Sequence, residues 1–109
     1  MKGRGQHRSG KAAAFELSAA DKLTLARMFL DTSREDLQRL SLALQGAELD
    51  EVIHRVHRLH GAALTVGASH LVAELESFEK ILREGSQIPA DSQERLTRLR
   101  QALADYPSL

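Results

Sequence analysis

The stretch Glu48-Leu49-Asp50-Glu51-Val52-Ile53-His54-Arg55-Val56-His57-Arg58-Leu59-His60-Gly61-Ala62-Ala63-Leu64-Thr65-Val66-Gly67 carries the pattern that decides the fold. Leu49, Val52, Ile53, Val56, Leu59, Ala63 and Val66 recur at steps of three and four, which puts them on one stripe of an α-helix. A strand would need alternation in steps of two, and none is present. Glu48, Asp50 and Glu51 crowd the first turn, where the helix dipole favours acids. Gly67 supplies a stop. The pattern predicts a helix from about Glu48 to Val66 with one buried face.

The flanking sequence repeats the same grammar. Upstream, Ala26, Phe29, Leu30, Ser33, Leu37, Leu40 and Leu44 form a second stripe of helical spacing. Ser18-Ala19-Ala20-Asp21 has the form of a capping box at its start. Gln45-Gly46-Ala47 reads as its stop. Asp31-Thr32-Ser33 is the place where this segment would divide into a short helix and a longer one. Downstream, Ser69 suits a cap, Leu71, Leu75, Phe78 and Leu82 form a third stripe, and Gly85 follows its end. Residues 85–92 read as a loop, since Pro89 discourages helix at Ile88. A last helix, about Ser92 to Asp105, presents Leu96, Leu99, Leu103 and Tyr106. One-faced helices with short connections predict an all-α fold, an antiparallel four-helix bundle, with a short additional N-terminal helix if the chain breaks at Asp31.

Composition narrows the function classes. A chain of 109 residues supports one hydrophobic core. Fifteen Lys and Arg against fifteen Asp and Glu give no basic excess, so no nucleic-acid partner is expected. The absence of Cys removes disulfides, thiolate metal sites and cysteine catalysis. Aromatic residues make up 4%, with no Trp, which favours aliphatic helix packing over a sheet. No uncharged apolar run reaches spanning length, and the start lacks a signal peptide's apolar stretch, so a cytoplasmic protein without membrane contact is expected. Residues 1–14, with Lys2, Arg4, Arg8 and Lys11, three Gly and no acid, read as a flexible basic tail or linker. Residues 15–109 are expected to form the bundle.

Three histidines, His54, His57 and His60, recur every third residue on the deciding helix. At about 100° per residue each steps back by roughly 60° around the axis. His60 therefore lies nearest the apolar stripe, His57 at its flank and His54 toward solvent. Between Val52 and Ala73 there is no acid, only Arg55, Arg58 and the histidines. A neutral imidazole is nucleophilic without a base, and local positive charge favours an incoming phosphoryl group. Gly61, one turn after His57, costs helix stability. It either lets two helices pack closely or lets another molecule reach the ring.

The run His57-Arg58-Leu59-His60-Gly61-Ala62-Ala63, continuing to Gly67-Ala68, resembles the signature of histidine-containing phosphotransfer (HPt) domains, and the pattern from about Leu23 to Tyr106 is similar to theirs. The resemblance implies that His57 is the phosphoacceptor, at Nε2, and that Gly61 gives a receiver domain access. It implies exchange with the aspartyl phosphate of response-regulator receivers and no autonomous kinase or ATPase activity. Arg58 and His60 become the candidates for supporting the phosphoryl group, and Leu64 for receiver contact. No cofactor is expected on this chain, with Mg²⁺ belonging to the receiver. The family's usual Lys three positions after the acceptor is His60 here, so transfer is expected to persist with a more pH-sensitive phosphorylated form. The tail suits a linker to a hybrid sensor histidine kinase, and a freestanding protein is the other arrangement.

Other chemistries fit less well. Three His spread over about 120° of arc converge poorly on one metal ion. A histidine kinase dimerisation domain usually has an acid directly after its His, where Arg58 stands. No Ser/His/acid set or phosphate-binding Gly loop supports a hydrolase. A non-catalytic helical adaptor explains the stripes equally well, but leaves the pairing of His57 with Gly61 as coincidence.

Overall fold

Ser18 opens the first helix, its hydroxyl accepting the Asp21 N–H at 3.1 Å as the capping pattern predicts. The computed structural model describes residues 17–106, and four helices account for most of them. They are α1 (Ala19–Gln45), α2 (Leu49–Val66), α3 (Ser69–Glu84) and α4 (Ser92–Ala104). Among the described residues there is no strand. Each helix packs against two neighbours, in the order α1, α2, α3, α4 and back to α1. Connections this short force successive helices to run antiparallel. No described helix is long and apolar enough to cross a membrane.

The predicted stripes converge on one core. Leu40, Val52, Val56, Leu75 and Phe78 are fully buried, joined by Leu59, Leu71, Leu82, Leu96 and Leu99. Leu30, Leu49, Ile53, Val66 and Tyr106 pack at its margin. Tyr106 sets its ring edge-on to Phe29, with centroids 5.0 Å apart.

One choice that the sequence left open is decided, and one cap differs from the sequence expectation. α1 runs unbroken through Asp31-Thr32-Ser33. Ser33 points into the core and Asp31 pairs on the surface with Arg34 at 3.6 Å, so neither is free to cap a new helix. No separate short helix therefore precedes α1 among the described residues. Ser69 is also not a cap: it is the first residue of α3, and Ala68 occupies the cap position. The turn is too tight for another residue, because Gly67 takes a left-handed φ of 69° and Ala68 already donates back to the Ala63 carbonyl. The proposed tail, residues 1–14, and its boundary at 15 lie outside the described residues.

That two-residue connection sets the register of α2 against α3. His57 precedes the turn by nearly as many residues as Glu79 follows it, and the same holds for His60 and Glu76. Residues far apart in sequence are thereby brought to one level of the bundle.

Candidate functional site

The helical order of the three histidines is the one their spacing predicts. His54 is exposed, His60 is largely buried, and His57 stands between them at the flank facing α3. The His57 side chain is 65% exposed. Its Nδ1 lies 2.8 Å from Oε2 of Glu79. The His60 Nδ1 lies 2.8 Å from the other oxygen, Oε1. Arg83, one turn further along α3, donates from Nη2 to the same Oε2 at 2.6 Å.

Glu79 is the centre of this cluster. Its side chain is only 10% exposed. Burial pushes its carboxyl up, but hydrogen bonds from Arg83, His57 and His60 outweigh that and bring it down to about 2. At neutral pH it is therefore a carboxylate, which can only accept hydrogen bonds. Both imidazoles must then donate from Nδ1. For His57 that choice leaves the lone pair of a neutral ring on Nε2, the nitrogen that Glu79 does not hold. A carboxylate fixing one ring nitrogen so that the other can react is a general way to orient a catalytic imidazole.

The window without acids in the sequence is thus not without acids in space. Glu79 and Glu76 reach it from α3, and Asp36 reaches it from α1. Asp36 is buried, 3.2 Å from Arg55 and 3.5 Å from Arg58. Arg55 also donates to Glu51 at 2.6 Å, and that bond holds the Glu51 carboxyl below the usual carboxylate range. Arg55 therefore ties α1 to α2. Arg58 leans toward the same α1 side, away from Glu79, and remains half exposed. His60 lies deeper than a phosphoryl-supporting group on the surface would: its Nε2 is buried without a hydrogen-bond partner, 3.8 Å from Glu76.

Gly61 and Leu64 extend the exposed face of α2 beyond His57. A Cβ added to Gly61 would meet nothing within 4 Å, which removes close helix packing as the reason for glycine here. Leu64 is a large apolar side chain left exposed on the same face. Among the described residues, no three His, Asp or Glu side chains are placed to hold a metal ion.

Sequence reasoning missed Glu79 and Arg83. The available signal was Glu79 itself, an acid four residues after Leu75 and beside Phe78, at the edge of an apolar stripe. A family model described as Hpt domain matches residues 24–107. Comparisons with curated proteins and with solved structures give no match.

Proposed function

Because the chain belongs to the Hpt domain family, whose role is histidine phosphotransfer in two-component signalling, we propose that it is a phosphorelay intermediate carrying a phosphoryl group on His57 between aspartates of response-regulator receiver domains. The observation that supports this best is the exposed His57 ring, anchored through Nδ1 to a buried carboxylate with Nε2 left for reaction. The Nε2 lone pair forms the N–P bond as the P–O bond to the receiver aspartate breaks, and that electron pair returns to the aspartate. The Nδ1 proton stays on the ring, and Glu79 offsets the positive charge that the ring acquires. The reverse steps pass the group to another receiver.

The chain thus acts as a phosphohistidine carrier, not as a kinase. The Mg²⁺ of the reaction is assigned to the receiver. A cytoplasmic setting, freestanding or fused to a hybrid sensor histidine kinase, suits such exchange. Docking would use the open face around Gly61 and Leu64, through a modest interface with an apolar centre. Incubation with a phosphorylated receiver should label the protein with an acid-labile phosphate, and His57→Gln should abolish the label. Absence of labelling by a panel of receivers would favour a non-catalytic adaptor.

Gly61 offers a second test, because its two roles have opposite signs. Gly61→Ala should stabilise the helix by about 0.5–1 kcal/mol, since the added methyl meets open space. The same methyl should hinder a receiver and slow transfer. A raised thermal midpoint with an unchanged transfer rate would contradict the access role.

A further inference from the structure

We propose that the groove between α1 and α4 is a docking surface for an acidic amphipathic helix of a partner protein. The groove is a cavity of about 480 Å³ whose apolar lining is Leu37, Leu42, Leu103 and Ala104. Leu37 and Leu103 are buried at its floor, and Leu42 is left 59% exposed on its α1 wall. Four helices packed in the order α1, α2, α3, α4 have four edges. His57 lies at the α2–α3 edge through its bond to Glu79, and the groove lies at the opposite edge. A partner seated there leaves His57 open to a receiver.

Charge selects the occupant. Arg34 and Arg100 line the groove, and no acid does. Phe29 touches Tyr106, and α1 runs antiparallel to α4. Arg34 is five residues on from Phe29 and Arg100 six back from Tyr106, so the two arginines flank the groove at one level. Arg100 has no ion-pair partner among the described residues. Arg34 meets only Asp31, at 3.6 Å in an exposed pair of the kind that contributes little. Leu42 lies eight residues beyond Arg34, about 12 Å along the axis. The matching ligand therefore carries a carboxylate at one end and a large apolar side chain about two helical turns away.

A helix meets this requirement because the groove follows the line of α1, with the Gln38 and Gln45 amides along it for polar contacts. The arginines are exposed, as cations at the rim of a protein interface are, rather than enclosed around a small anion. A second copy of the chain is a poor occupant. A two-fold contact would set the same patch against itself and bring four arginines together.

The test uses the full chain and two fluorescein-labelled peptides of about four helical turns. One carries Glu at one end and Leu along the face that follows; the other has Lys in place of each Glu. Fluorescence anisotropy should show the Glu peptide binding roughly tenfold more tightly, the effect of two partly exposed ion pairs. Arg34→Glu combined with Arg100→Glu should reverse the preference, with the fold kept because both side chains are exposed. Leu42→Asn should weaken the Glu peptide. Amide shifts on binding should map to α1 and α4, and phosphotransfer to His57 should proceed at an unchanged rate with the peptide bound. Equal affinity for the two peptides, no binding at millimolar concentration, or shifts confined to the α2–α3 edge would each overturn the proposal. Sedimentation of the wild type alone as a dimer that Leu42→Asn dissociates would also overturn it, by assigning the groove to a second copy.

Discussion

Glu79→Gln should slow phosphotransfer to His57 by about 10- to 100-fold while leaving the helical bundle folded. The amide keeps the shape of the side chain but removes the charge that three donors share. It can offer an N–H where only acceptors stood, so the His57 ring loses its fixed tautomer and orientation. The same substitution should lower stability at pH 7. A carboxyl moved from 4.5 to about 2 by its folded surroundings corresponds to about 3 kcal/mol, and solvent screening of the exposed Arg83 and His57 reduces the expectation to about 2 kcal/mol.

The sign of the pH dependence follows from that depression. Glu79 contributes its full stabilisation above the unfolded value near 4.5, and loses it as pH falls through the folded value of about 2. The gap between wild type and Glu79→Gln in urea unfolding should therefore be widest above pH 5 and close toward pH 2. A gap independent of pH would mean that Glu79 is not the ionised centre of the cluster.

Phe78→Ala should destabilise the protein by about 3–5 kcal/mol, because its ring is fully buried and the cavity it leaves would be lined by side chains of a packed core. Small domains have only about 5–15 kcal/mol in total, so the variant should be close to its folding threshold. Arg95 also lies over the Phe78 ring, 5.7 Å from its centroid, and would lose that contact. The functional consequence runs through α3. Phe78 anchors the helix whose next residue is Glu79, so transfer should fall even in the fraction that remains folded. Leu64→Ala is the matched control, since Leu64 is exposed and its loss should leave the urea midpoint nearly unchanged. A loss below 1 kcal/mol in Phe78→Ala would contradict the assignment of Phe78 to the core.

The fold was legible because each helix carries its own apolar stripe, and the loops between helices are marked by Gly46, Gly67, Gly85 and Pro89. The open choice at Asp31 and the misplaced cap at Ser69 have one origin. A polar residue of capping type is visible in sequence, but whether its side chain is free to cap depends on what surrounds it. Ser33 was needed in the core, and the tight Gly67 turn moved the cap to Ala68.

The site was legible only in part. The arc of His54, His57 and His60 follows from helix geometry alone, and Gly61 lies on the open face that its proposed access role requires. Glu79, Arg83 and Asp36 could not be read from the helix that carries His57. Their proximity depends on the register of α2 against its neighbours, which local periodicity does not contain. Once the two-residue connection at Gly67 and Ala68 is known, the pairing of His57 with Glu79 follows from counting along both helices.

The central claim is that His57 accepts the phosphoryl group at Nε2 while Nδ1 keeps its proton on Glu79. Long-range ¹H–¹⁵N spectra of the imidazoles, recorded before and after phosphorylation by a receiver, test it directly. The account predicts that one ring alone, His57, becomes phosphorylated, with phosphorus on Nε2 and a proton on Nδ1. Phosphorus on Nδ1 of His57, or on His54, His60 or His70, would contradict it.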